Sequence, residues 1–171
     1  YTSNLGLLEL RQEIAVYLEQ KFSLQYSDQQ ILISNGVSEG VDIVCRSFLN
    51  PGDEVILPEP AYVCYRPLIE LSGGKVVSID TSSSQFVPLA AQIEAAITNK
   101  TKMIMLSYPN NPTGQSIPFS ELSKIADLAV KHQLLILTDE IYAALSFEPF
   151  KSIAEIAAVK PNVIYLNGFS K

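Results

Sequence analysis

Short apolar runs alternate along the chain with stretches of helical periodicity, which is the pattern of β/α units. Six runs have the length and apolar content of buried strands: Ile31–Ser34, Glu54–Leu57, Lys75–Ile79, Met103–Ser107, Leu134–Thr138 and Val163–Leu166. Between them lie amphipathic helices. Val37, Val41, Val44 and Phe48 recur at i, i+4, i+7 and i+11, a stripe that one helix face would lay on a sheet. Leu122, Ile125, Ala126, Ala129 and Val130 make a second stripe. Leu7, Leu10, Ile14 and Leu18 line an opening helix, with Ser3-Asn4 ahead of it as capping candidates. Pro51-Gly52-Asp53 and Gly73-Gly74 are turns placed just before strands. The pattern predicts α/β architecture: a mostly parallel sheet with helices on both faces, three layers α/β/α, joined by right-handed crossovers. No repeat or linker divides it.

Composition narrows the class. The 171 residues amount to one domain. A hydrophobic content of 47% against 18% charged excludes disorder and collagen-like or coiled-coil chains. The net charge of −6, with no window rich in Lys and Arg, argues against a general nucleic-acid binder. No apolar run reaches the length of a membrane span and no signal-peptide pattern opens the chain, so a cytoplasmic protein is expected. Cys45 and Cys64 have no metal-ligand spacing and read as free thiols of a reducing compartment. His132, the sole histidine, falls near a helix C-terminus, where it complements the dipole. The chain opens on Tyr1 and stops at Lys171, inside what reads as an active-site loop, so a piece of a larger protein is expected.

Open parallel sheets bind ligands beyond the carboxyl ends of their strands. The unusual polar residues all follow such ends: Asn35-Gly36-Val37-Ser38, Pro58-Glu59-Pro60-Ala61-Tyr62 with Tyr65 behind, Tyr108 to Gly114, Asp139-Glu140-Ile141-Tyr142, and Asn167 to Lys171. Gly36-Val37-Ser38, between a strand and a helix start, offers outward N–H groups and a positive dipole end to a phosphate. It has neither the Walker nor the GxGxxG spacing, and an ordinary glycine turn with Ser38 as cap is the alternative. Tyr62 presents an aromatic face for a flat heterocycle, or is simply a partly buried tyrosine. Asp139 closes an apolar strand, and a poorly solvated carboxylate needs either an internal salt bridge or a cationic ring nitrogen. Lys171 is either a solvated lysine or a nucleophile toward carbonyls. A phosphate seat, an aromatic lid, an acid for a ring nitrogen and an amine for an aldehyde are together what pyridoxal 5'-phosphate requires.

The same residues carry a resemblance. Tyr-Pro-Asn-Asn-Pro-Thr-Gly at 108–114, Thr-Asp-Glu-Ile-Tyr at 138–142, Asn-Gly-Phe-Ser-Lys at 167–171 and the opening Tyr1, Gly6, Leu10-Arg11 resemble, in order and along the whole chain, the class I/II aminotransferases of fold-type-I architecture. That resemblance implies that Lys171 is the Schiff-base lysine and proton shuttle, and that Asp139 keeps the pyridine nitrogen protonated. It also implies that Asn111 and Tyr142 bond the ring's phenolic oxygen, that Tyr62 stacks on the ring, and that Val37 and Ser38 contact the phosphate. Tyr1 would reach the phosphate of a neighbouring subunit, which makes a homodimer the expected partner arrangement. Tyr65 is expected on the substrate side. Residues 1–171 would be the cofactor-binding large domain, incomplete and without its C-terminal domain.

Two departures stand against the family pattern. Gly168 occupies the position, three before the lysine, where many members carry Ser or Thr. The family's arginines for phosphate and substrate carboxylate would lie beyond Lys171, so the 171-residue chain is expected to lack aminotransferase activity by itself. The expected reaction converts an amino acid of aspartate, aromatic or diaminopimelate type to its 2-oxo acid. A fold-type-I lyase using the same cofactor, a Rossmann-like nucleotide-binding module and a non-catalytic folding or dimerisation piece remain as alternatives.

Overall fold

The structure, a computed structural model, describes residues 3–171. Tyr1 and its expected reach to a neighbouring subunit lie outside them. The elements in chain order are α1 (Leu8–Phe22), α2 (Val37–Phe48), β1 (Glu54–Glu59), α3 (Tyr65–Leu71), β2 (Lys75–Asp80), α4 (Ala90–Ala96), β3 (Thr101–Ser107), α5 (Phe119–His132), β4 (Leu135–Asp139) and β5 (Val163–Leu166). The five strands form one parallel sheet in the order β2-β1-β3-β4-β5.

Strands covered on both faces should be apolar at successive positions, and β3 is. Its Ile104 and Leu106 join Ile56, Ile136 and, from α4 and α5, Ile93, Leu122, Ile125 and Ala129. Its Met103 and Met105 face the other way, onto Val41, Val44 and Cys45 of α2 and Ile69 of α3. Helices therefore lie on both faces, as the periodicity implied. A smaller cluster of Leu18, Leu24 and Ala154 anchors α1. Among the described residues no helix is long and apolar enough to cross a membrane.

The sequence pattern overreached at several points. Ile31–Ser34 is extended but is not a strand: apolar alternation reports half-burial, whereas a strand also needs a partner, and β5 pairs only with β4. Its bond to a distant segment is Ile33 N–H to the Leu5 carbonyl, 3.0 Å. That approach is close enough to require Gly6, where φ is +95° and an added Cβ would fall 2.5 Å from Ile33 Cγ1. The α2 stripe ends early: Phe48, the last helical residue, is 43% exposed, and Cys45 fills the core instead. Val130 is likewise exposed on α5, Leu10 on α1 and Leu7 just ahead of it. Ser3 does not cap α1, which starts four residues later than that reading requires; its carbonyl closes a turn to Gly6 N–H at 2.9 Å. Of the two cysteines, both free, only Cys45 is fully buried.

Candidate active site

Parallel register puts the strand ends at one level. Ser107 of β3 pairs with Asp139 of β4, and Asp139 with Leu166 of β5. Beyond that level the chain stays stitched together: Tyr108 N–H reaches the Asp139 carbonyl at 3.2 Å and Glu140 N–H the Leu166 carbonyl at 2.9 Å. The loops carrying Asn111, Tyr142 and Lys171 therefore all leave the same rim.

Asp139 is 4% exposed and, among the described residues, has no ion-pair partner. Its Oδ2 accepts from the Tyr65 hydroxyl at 2.6 Å and its Oδ1 from Ile141 N–H at 3.0 Å. Burial pushes this carboxyl above its ordinary value, and the two donors pull it back. Tyr65 is 2% exposed, with its hydroxyl 2.8 Å from Ser107 Oγ, so it does not line the substrate side. The expectation failed because the first turn of α3 points Tyr65 inward, beneath the rim. Burial, and then the charge of Asp139, raise the tyrosine far above its ordinary value and keep it a donor.

Asn110, which sequence reasoning passed over, joins two loops of the site. Its Nδ2 donates to the carbonyls of Pro60 at 3.2 Å and Ser107 at 3.3 Å, while its Oδ1 accepts from Thr113 N–H and Thr113 Oγ1 at 3.2 and 2.8 Å. Asn110 is buried by this role, and Asn111 is left half-buried with no side-chain bond among the described residues. The spacing Asn-x-x-Thr next to prolines was the available signal. Tyr62, beyond Pro60, is 40% exposed and meets Tyr65 edge-on, with ring centroids 5.7 Å apart.

The remaining residues sit around β5 and α2. Gly36 is the N-cap of α2 at φ +82°, so Ser38 is a helical residue rather than the cap. The first N–H groups of α2, including those of Val37 and Ser38, have no acceptor within the helix. Gly168 lies against this end: a Cβ there would stand 3.0 Å from Ile141 Cδ1 and 3.7 Å from Val37 Cγ2. A side chain at this position would need the Ile141 methyl to give way by a few tenths of an ångström. Lys171 is exposed, with Nζ 5.8 Å from the centroid of the Tyr142 ring. The sequence-predicted residues Asn111, Asp139, Tyr142 and Lys171 share the rim, with Tyr62 and the start of α2 on loops bordering it. Tyr65 lies beneath it.

This donor set fits pyridoxal phosphate. A buried carboxylate with no cation suits a protonated ring nitrogen, the free N–H groups of α2 suit a phosphate, and Lys171 supplies an amine. The family model for class I and II aminotransferases matches residues 1–171. A Bacillus subtilis protein named "Probable N-acetyl-LL-diaminopimelate aminotransferase" is 42% identical over 173 residues, covering 100% of this chain and 44% of its own. The aspartate aminotransferase of Thermotoga maritima is 35% identical over 173 residues, covering 100% of this chain and 46% of its own. A solved aromatic aminotransferase from Pyrococcus horikoshii matches with a TM-score of 0.95 at 32% identity, over 100% of this chain and 47% of that one. The chain spans less than half the length of these relatives. Enzymes of this family are transferases that depend on pyridoxal phosphate. With the whole chain matched, the nucleotide-module alternative falls, and the chain belongs to the class I and II aminotransferases.

Proposed function

We propose that residues 1–171 form the cofactor-binding large domain of an aminotransferase that converts an amino acid to its 2-oxo acid. The donor would be of aspartate, aromatic or diaminopimelate type, the classes named among its relatives. When bound, pyridoxal phosphate supplies an electron sink for the bonds at the amino acid's Cα. The observation that carries the reading is Asp139: a carboxylate 4% exposed, without a cation among the described residues, at the strand ends from which Lys171 and Tyr142 also depart.

Each residue would have a definite task. Asp139 would hold a proton on the ring nitrogen through a charge-assisted contact, and Tyr65 would keep that carboxylate ionised while the site is open. Lys171 Nζ would hold the group at its aldehyde carbon and, as a free amine once released, would move the proton at the substrate carbon. Asn111 and Tyr142 would donate to the phenolic oxygen, Tyr62 would cover one ring face, and Val37 and Ser38 would turn their N–H groups to the phosphate. The assembly would be a cytoplasmic homodimer in which Tyr1 completes the neighbouring site.

Asp139→Asn tests this directly. The amide preserves shape and one acceptor oxygen, its NH2 replacing the oxygen that accepted from Tyr65, but it cannot stabilise a protonated ring nitrogen, so turnover of the full-length enzyme should fall by about 10²-fold or more. Unchanged transamination would refute the assignment.

A further inference from the structure

Glu140 follows Asp139 and takes no part in the site described so far, yet it is the more unusual carboxyl. It is 2% exposed. Strand alternation sends it, with Thr138, to the α5 face, opposite Asp139. Its Oε1 accepts from Thr138 Oγ1 at 3.0 Å and from Ser152 Oγ at 2.9 Å, and its Oε2 is buried without a partner. Ser152 in turn caps the short 3-10 turn Ile153–Glu155, accepting Ala154 N–H at 3.1 Å. The Glu140 backbone holds the rim itself: its N–H bonds the Leu166 carbonyl and its carbonyl accepts Ala143 N–H, each at 2.9 Å. One residue thus ties β4, β5, the turn carrying Tyr142 and the 152–155 segment together.

The groups facing it offer no compensating cation. Lys151 lines the same small cavity, along with Tyr108, but is paired with Glu155 at 2.9 Å. Asp139 and Glu155 add negative charge nearby, and Tyr26 and Tyr165 lie close enough that an ionised Glu140 would raise them further. A buried carboxylate in such company takes up a proton rather than remain charged.

We propose that Glu140 is a positioning residue that acts as an uncharged acid, clamping the turn that carries Tyr142 to the end of β4 and adding no second charge beside Asp139. The functional half of this proposal rests on the reading of the rim as the cofactor site; the clamp does not. Consistent with it, burial pushes the Glu140 carboxyl up to about 8, outweighing the two hydroxyl donors. Above that pH a second anion would form one residue from Asp139, and the clamp would loosen.

The test compares the wild type with Glu140→Gln, which keeps a carbonyl acceptor for Thr138 and Ser152 but never ionises, and with Glu140→Ala. The apoprotein should show an infrared carbonyl band of a protonated carboxylic acid at pH 7 that is missing in Glu140→Gln. Between pH 6 and 8 the wild type's unfolding equilibrium should shift toward unfolding by up to tenfold per pH unit more than that of Glu140→Gln. Glu140→Ala should be less stable than Glu140→Gln at every pH. In the cofactor-loaded protein, the alkaline fall in cofactor retention should be absent from Glu140→Gln. Equal pH slopes in wild type and Glu140→Gln, or no acid band at pH 7, would overturn the uncharged clamp. If the apoprotein results hold and pyridoxal phosphate is not retained by any of the three in the full-length protein, the cofactor reading fails while the clamp stands. Retention with identical alkaline falls would overturn the functional half alone.

Discussion

Replacing Tyr65 by Phe removes one oxygen from the most constrained contact of the site. The ring stays in its buried place, so little packing is lost; what disappears is the 2.6 Å donor to Asp139 Oδ2, and with it the partner of Ser107 Oγ. A hydrogen bond to a charged group contributes about 1.5–3 kcal/mol, and one between neutral groups about 1 kcal/mol. The sign of the pH effect follows from burial. Asp139 in the fold lies above its ordinary value of 3.8, so its ionisation already opposes folding as pH rises past that point. Losing the donor that favours the charged form raises it further. Well below pH 3.8, where the carboxyl is protonated in both the folded and the unfolded state, the variant should cost only about 1 kcal/mol. As pH rises and the folded carboxyl ionises, the gap should widen to about 2–3 kcal/mol. Urea unfolding of both proteins across this range measures it. A gap independent of pH, or one that narrows as pH rises, would refute the claim that Tyr65 supports the charge on Asp139.

Two further substitutions test the scaffold around the site. Asn110→Ala should destabilise the protein by about 2–3 kcal/mol, because it leaves the buried Ser107 carbonyl and the half-buried Pro60 carbonyl without this donor, and thermal unfolding would register it. Gly168→Ser should lower the melting temperature only slightly, because its Cβ meets the movable terminal methyl of Ile141 at 3.0 Å, and a drop of many degrees would show that Ile141 cannot yield.

The rim was legible because in a parallel sheet the position of a residue after a strand is already a position in space. Asp139, Asn111, Tyr142 and Lys171 needed no more than that. Pairing was not legible at Ile31–Ser34, since alternation records which side is buried and not whether a neighbour exists. Tyr65 and Tyr62 look alike in sequence; only the tilt of α3 decides that one is an exposed face and the other a buried donor. Asn110 and Asn111 are adjacent and identical in type, and the loop's internal bonds distinguish the one that builds it from the one it presents. Glu140 escaped notice because it sits beside Asp139 in sequence but on the opposite face of the sheet, and its lack of a cation is a property of its surroundings alone.

The central claim is that this rim holds pyridoxal phosphate with Lys171 as the attached amine. Incubating the protein with pyridoxal phosphate, reducing with borohydride to fix any lysine joined to the aldehyde, and mapping the peptides by mass spectrometry tests it most directly. The account predicts a pyridoxyl group on Lys171, with Lys75, Lys100, Lys102 and the other lysines unlabelled, and a loss of that label in Asp139→Asn under limiting cofactor. Label on another lysine, or spread evenly over the surface lysines, would contradict it.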